Sequence, residues 1–247
     1  MELLTLILLV AAPFIGSFLG VVADRSVAGR SVVFGRSACD ACGRQLAARD
    51  LVPILSWLML RGRSRCCCRK LRIGLLWMEL AALLVAIWAA LAVPTEIFAI
   101  TVALGWMLLV LSAIDLRSFR LPDWGTLTLT AAGLILSALG LTGPLWSHLA
   151  GAALGYGAIW GVAWTYRRLR GRDGLGLGDA KLLAAAGAWL GIAAWPSVLL
   201  IGCLLGLAHT FLVASRSGWS GDLAMPFGPS LAMGFWLTWL YGPIVFV

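Results

Sequence analysis

Apolar residues run along this chain in long blocks broken by short polar stretches. A bilayer crossing takes roughly 17–25 predominantly apolar residues. Eight blocks meet or approach that length: about 3–22, 75–93, 97–114, 124–142, 147–166, 180–194, 196–214 and 229–246. Each predicts a helix, because backbone in hydrocarbon must satisfy its own hydrogen bonds. The sixth block is short, and Trp195-Pro196 leaves almost no loop before the seventh. Met1 leads straight into a full-length block, so a cleaved signal peptide is not expected. The pattern predicts an all-α polytopic membrane protein of about eight transmembrane helices with a small cytoplasmic Cys-containing loop domain. The expected boundaries are a first transmembrane helix at 1–23, a basic Cys-rich loop domain at 24–73 and a multi-helix membrane core at 74–247.

Composition supports this picture and charge orients it. With 61% hydrophobic and 12% charged residues and a mean hydropathy of +0.95, an ordinary soluble domain is excluded. Of 19 Lys and Arg, eleven lie in 24–73, two in 115–123 and four in 167–173; the others are Lys181 and Arg216. With eight spans these regions share one side, which the positive-inside rule makes cytoplasmic. The opposite side carries short turns such as Val93-Pro94-Thr95-Glu96 and Thr142-Gly143-Pro144, and both termini would face it. The net charge of +8 is therefore a topology signal. Nucleic-acid binding is not expected, since the arginines are not interleaved with aromatics on a soluble domain. The 13 tryptophans fit interfacial belts and core packing.

Two aspartates carry the sharpest chemical signal. Asp115 closes the third block and Asp179 opens the sixth, both on the predicted cytoplasmic side. An ionisable residue at the edge of a span is costly and is a functional-site candidate. Two such carboxylates can share one proton and activate a water between them. Asp179 follows Gly176-Leu177-Gly178, whose glycines permit close backbone approach, and it should sit in a first helical turn. The plainer reading is a helix cap for Asp179 and a snorkelling carboxylate near Arg117 or Arg120 for Asp115. Asp123, after Pro122, reads as the N-cap of the fourth span. Glu79, one turn into the second span, should face protein or a polar cavity, paired with a loop arginine or lining the site. His148 and His209 have no ligand spacing between them and read as structural.

The cysteines form a second constellation. Cys39-Asp40-Ala41-Cys42 is a C-x-x-C knuckle, and Cys66-Cys67-Cys68 follows. Thiols on the cytoplasmic side stay reduced, so metal binding is favoured over disulfides. Four thiolates around zinc would fold a loop too short for a large core. The alternative is free thiols in a basic loop. Cys203, in the seventh block, reads as a small buried apolar residue. No repeat of fixed period is apparent along the chain.

In this order the motifs resemble those of the type IV prepilin peptidases, the prepilin leader peptidase/N-methyltransferases. Gly16-Ser17-Phe18-Leu19 is similar to the family's N-terminal motif. Cys39 and Cys42, Asp50 to Trp57 and Arg61-Gly62-Arg63 resemble its zinc loop, and Glu79 its following glutamate. Asp115 with Pro122-Asp123 matches the first catalytic region, Gly176 to Lys181 the GxGD motif, and Pro226 to Pro229 the C-terminal motif. The chain departs at Gly20, where the family usually has Asn, and in lacking the proline of the first knuckle. Aligning Cys67 with the family's last cysteine puts Ser64 at the third ligand position.

The resemblance implies an aspartic endopeptidase of the bacterial inner membrane. Asp115 and Asp179 would be its catalytic pair, one ionised and one protonated. Prepilins or pseudopilins would be its substrates, cut at the cytoplasmic face. It implies zinc on Cys39, Cys42 and Cys67, with Cys66 or Cys68 as fourth ligand. It also implies N-methylation of the new N-terminus from S-adenosylmethionine, an activity on which the loop and N-terminal departures bear. The rival from another class is a non-enzymatic transporter or assembly scaffold, which should hold its polar groups near mid-membrane.

Overall fold

The structure, a computed structural model, describes residues 2–31, 38–39, 41–171, 176–217 and 225–244. Parts of the predicted loops (32–37, Asp40 and 172–175) and the end of the eighth block lie outside the described residues. Within the described residues the regular structure is helical and contains no strand: α1 Glu2–Val27, a 3-10 turn at Ala48–Leu51, α2 Leu55–Met59, α3 Ile73–Ala92, α4 Thr95–Ser118, α5 Asp123–Ala138, α6 Leu145–Arg170, α7 Leu177–Leu190, α8 Trp195–Ser217 and α9 Gly228–Tyr241.

Each of the eight apolar blocks coincides with a helix, and α2 is a short addition inside the loop. Four helices, α1, α3, α4 and α8, are long and apolar enough to cross a bilayer. The other four are shorter or more polar. α7 and α9 have 14 residues each, a rise of about 21 Å against a hydrocarbon core of about 30 Å. α5 has 16 residues, and α6, although 26 residues long, ends in Arg167, Arg168 and Arg170. Length and hydropathy thus support a polytopic helical membrane protein without fixing eight crossings.

The chain forms two compact units, 1–110 and 111–247, divided within α4. In the first, α1 packs along α3 through a stripe of small residues. Small residues let helix backbones approach where hydrocarbon offers no hydrophobic drive between helices. Gly16 is the tightest point: a Cβ there would stand 2.6 Å from the Met78 carbonyl oxygen. The Trp106 indole N–H donates to the Ala82 carbonyl at 3.0 Å, satisfying a buried donor.

In the second unit α7 is central, packing on α5, α6, α8 and α9. Its buried residues (Leu182, Leu183, Ala185, Ala186, Ala188 and Trp189 among them) surround the helix. A helix apolar all round belongs in a core. This explains why the sixth block is short and lacks a polar face. Backbones meet closely on α6, where a Cβ on Gly155 would lie 2.6 Å from the Leu183 carbonyl oxygen. Trp189 donates its indole N–H to the Leu129 carbonyl of α5 at 2.7 Å. His148 is buried with Nδ1 2.9 Å from the Ala188 carbonyl oxygen, a structural tie of α6 to α7.

Candidate active site and metal centre

Asp115 and Asp179 both belong to the second unit and sit at helix ends that the sequence makes inevitable. Asp115 lies in the last turn of α4, which stops at Ser118. The left-handed Phe119 (φ 54) and then Leu121-Pro122 turn the chain into α5. Asp179 lies in the first turn of α7, after the extended Gly176. Asp115 is buried, at 5% exposure, which removes the snorkelling alternative. Its Oδ2 accepts a hydrogen bond of 3.0 Å from the Gly228 N–H at the start of α9. Gly228 has no room for a side chain: a Cβ there would lie 2.6 Å from Asp115 Oδ2.

The Asp179 carboxylate is half-buried and lies within electrostatic range of Asp115. Glycines shape its surroundings too. A Cβ on Gly178 would meet Leu121 Cβ at 3.0 Å, and one on Gly176 would lie 3.5 Å from Asp179 Oδ2. The fold thus brings together two carboxylates, one seated on a helix N-terminal amide, walled by backbone and apolar side chains. Such a pair can hold one proton between its members and present both a base and an acid to a bound water.

Asp123 is not the N-cap of its helix. Pro122 occupies that place with no side-chain cap hydrogen bond. Asp123 Oδ1 instead accepts from Lys181 Nζ at 2.5 Å, tying the start of α5 to the first turns of α7. Lys181, two residues past Asp179, reaches this carboxylate from α7. Sequence reading also missed the role of Gly228, whose only signal was its place in Pro226-Phe227-Gly228-Pro229.

Glu79, in the first unit, is buried at 7% exposure on α3. Its Oε2 accepts the Ile54 N–H at 2.7 Å, so among the described residues it holds loop backbone and no arginine. Ile54 has φ +62, a conformation that costs a β-branched residue energy and persists only when its surroundings impose it. His209 is exposed on α8, and Cys203 is half-buried rather than buried, on a helix with much exposed apolar surface.

In the loop, the sulfurs of Cys39, Cys42, Cys66 and Cys67 lie within 4.8 Å of one another. Cys39 Sγ is 3.7 Å from Cys67 Sγ, and Cys42 Sγ is 3.3 Å from Cys66 Sγ. Sulfurs on a tetrahedral zinc with 2.3 Å bonds stand about 3.8 Å apart, so the set fits one ion with small adjustments. The Ala41 and Cys42 backbone amides lower the Cys39 pKa to about 6. The Ser64 hydroxyl leads in lowering that of Cys67. Hydrogen bonding with Cys42 is the first cause that pushes Cys66 up to about 12. Thiolate and thiol therefore share the cluster, a donor set suited to a soft or borderline cation that would displace the remaining protons.

Residues 10–93 match the Bacterial Peptidase A24 N-terminal domain, and residues 102–211 match the Type IV leader peptidase family. A protein of Aeromonas salmonicida (strain A449), named Prepilin leader peptidase/N-methyltransferase, is 37% identical over 84% of this chain and 72% of its own length. The chain belongs to the prepilin leader peptidase/N-methyltransferase family. Proteins of the same name from Aeromonas hydrophila and Burkholderia pseudomallei (strain 1026b) are 39% and 40% identical, over 84% and 89% of this chain and 72% of each relative. No solved structure matches the chain. The two matched regions contain the cysteine cluster with Glu79 and the aspartate pair respectively.

Proposed function

We propose that this protein is a membrane-embedded aspartic endopeptidase that removes the leader of type IV prepilins or pseudopilins at the cytoplasmic face of the bacterial inner membrane. One observation carries the reading: Asp115 and Asp179, 64 positions apart in sequence (179 − 115), sit close enough to interact electrostatically. In hydrolysis the ionised carboxylate takes a proton from water as its oxygen attacks the scissile carbonyl carbon. The protonated carboxyl group gives its proton to the carbonyl oxygen. The resulting gem-diol breaks its C–N bond: the amine leaves with the proton taken from water, and one diol hydroxyl returns a proton to the second carboxylate, which leaves the new carboxyl group and restores the pair. The Gly228 amide holds the Asp115 carboxylate in place, so that it needs little reorganisation.

Eight crossings with the basic loops inside would put both aspartates at the cytoplasmic face. The working division is the first helix at 1–23, the loop domain at 24–73 and the membrane core at 74–247. Substrate would be chosen by its membrane-embedded helix and cleavage junction, since the basic loop has no attraction for a basic leader. Zinc held by Cys39, Cys42 and Cys67 would fold the loop and take no part in the chemistry. The relatives are also named N-methyltransferases, and the reading adds methylation of the new N-terminus with S-adenosylmethionine as methyl donor and co-substrate. Incubating the purified protein with a prepilin and labelled S-adenosylmethionine tests both activities. Mass spectrometry should show the cleaved product carrying one labelled methyl group. Intact prepilin after prolonged incubation would contradict the peptidase, and cleaved but unlabelled product the methyl transfer.

A further inference from the structure

The cysteine loop contains two copies of one turn. Around Cys39, an isolated bridge joins Ala38 and Gln45, the Cys39 N–H donates to the Arg44 carbonyl at 2.8 Å, and the Gly43 N–H to the Cys39 carbonyl at 2.8 Å. Around Ser64 the same three features recur, each 25 positions later (39 to 64). The bridge is Arg63 with Lys70, the Ser64 N–H donates to the Arg69 carbonyl at 2.8 Å, and the Cys68 N–H to the Ser64 carbonyl at 2.9 Å. Even the left-handed residue is matched: Gly43 at φ 71 and Cys68 at φ 57. Under this superposition Cys67 takes the place of Cys42, and Ser64 takes the place of Cys39.

We infer that the second turn is a knuckle whose leading ligand has become serine, and that Cys66, one residue before the surviving ligand, replaces it to complete a four-sulfur metal site. Cys66 reaches the site because its sulfur lies 3.3 Å from Cys42 Sγ. Cys68 is excluded: it fills the turn's left-handed position, is exposed, and stands outside the sulfur cluster. Ser64 is kept in another role. It is buried, and its Oγ lies 3.0 Å from Cys67 Sγ, placed to donate to a ligating thiolate. A hydrogen bond to a ligand orients it and tunes its basicity. The second half-site is thus a vicinal Cys66-Cys67 pair with a serine behind it, and the first a regular C-x-x-C.

This assignment rests on the reading of the loop as a metal-folded unit, and the test separates the two. The full-length protein is purified in detergent, stripped and titrated with cobalt(II), and zinc is counted in parallel samples. Wild type should bind about one ion per chain with the intense sulfur-to-metal absorption of a four-thiolate site. Cys66→Ser should weaken binding and reduce that absorption, while Cys68→Ser should leave both unchanged. The double variant Ser64→Cys/Cys66→Ser should restore the four-sulfur spectrum by rebuilding the regular knuckle, which shows that loss in Cys66→Ser is not misfolding. Ser64→Ala should keep the four-sulfur spectrum and bind more weakly by roughly 10- to 100-fold. Loss of metal in Cys68→Ser, full binding in Cys66→Ser, or no recovery in the double variant would each overturn the ligand assignment. A wild-type protein that takes up no ion would overturn the metal reading itself.

Discussion

The aspartates and the cysteine loop both place polar side chains near one another, with different materials. Asp115 and Asp179 are placed by helix ends and by backbone: the Gly228 amide, and the walls that Gly176 and Gly178 leave open. The cysteines are placed by two small turns whose backbone pattern repeats while their side chains differ. At Gly228 the backbone seat admits no side chain, because an added Cβ would collide with the carboxylate it supports. A seat made of turns lets a ligand move from Ser64 to Cys66 while the turn survives. The first design suits chemistry that depends on geometry, the second suits a staple that needs only enough donors.

That contrast is open to attack by mutation. After the aspartates themselves, the largest effect is expected at Gly228. Gly228→Ala puts a methyl group within 2.6 Å of Asp115 Oδ2, and a displacement of the carboxylate near 1 Å costs about 10²-fold in rate. Cleavage kinetics measured beside a melting curve would check it; an unaltered kcat would show that the amide seat is dispensable. Glu79→Ala comes next, acting on stability. It removes the acceptor of the half-buried Ile54 N–H, at about 1 kcal/mol, so the melting temperature should fall and limited proteolysis near residues 48–60 should quicken. Glu79→Gln keeps an acceptor and should cost less; equal losses would argue against the hydrogen bond. The smallest effect is expected for Lys181→Met. Its pair with Asp123 is largely exposed on the aspartate side and is worth no more than about 1 kcal/mol. A loss of cleavage comparable to that of Gly228→Ala would mean that the ion pair itself belongs to the reaction.

Topology offers a test of a different kind. A cysteine introduced at Ser118 or Gly171 should resist an impermeant thiol reagent applied outside intact cells. Modification from outside would reverse the orientation drawn from the Lys and Arg distribution.

The helices were legible because eight blocks of apolar residues can do little else in a membrane. The aspartates drew attention because ionisable groups at the edges of apolar blocks are rare and costly. What escaped the sequence is what depends on tertiary approach. Asp123 has the composition of a cap, and only the arrival of Lys181 from α7 turns it into an ion-pair partner. Glu79 offered several partners, and the one it takes, the Ile54 backbone, carries no side-chain signature. The paired turns were hidden because Ala38 to Gln45 and Arg63 to Lys70 agree only at Cys42/Cys67 and Arg44/Arg69. Their likeness lies in backbone hydrogen bonds. The shortness of α7 was visible, but its cause, burial on every side, required its neighbours.

The claim that Asp115 and Asp179 act together on one water is tested most directly by replacing each in turn. Asp115→Asn and Asp179→Asn, purified and shown by circular dichroism and melting to be folded, are incubated with prepilin beside the wild type. Asparagine keeps the shape of the side chain but can neither accept the proton from water nor hold an acidic one. Each substitution should abolish cleavage while leaving the protein inserted and folded. Near-normal processing by either folded variant would remove that residue from the pair and with it the proposed mechanism.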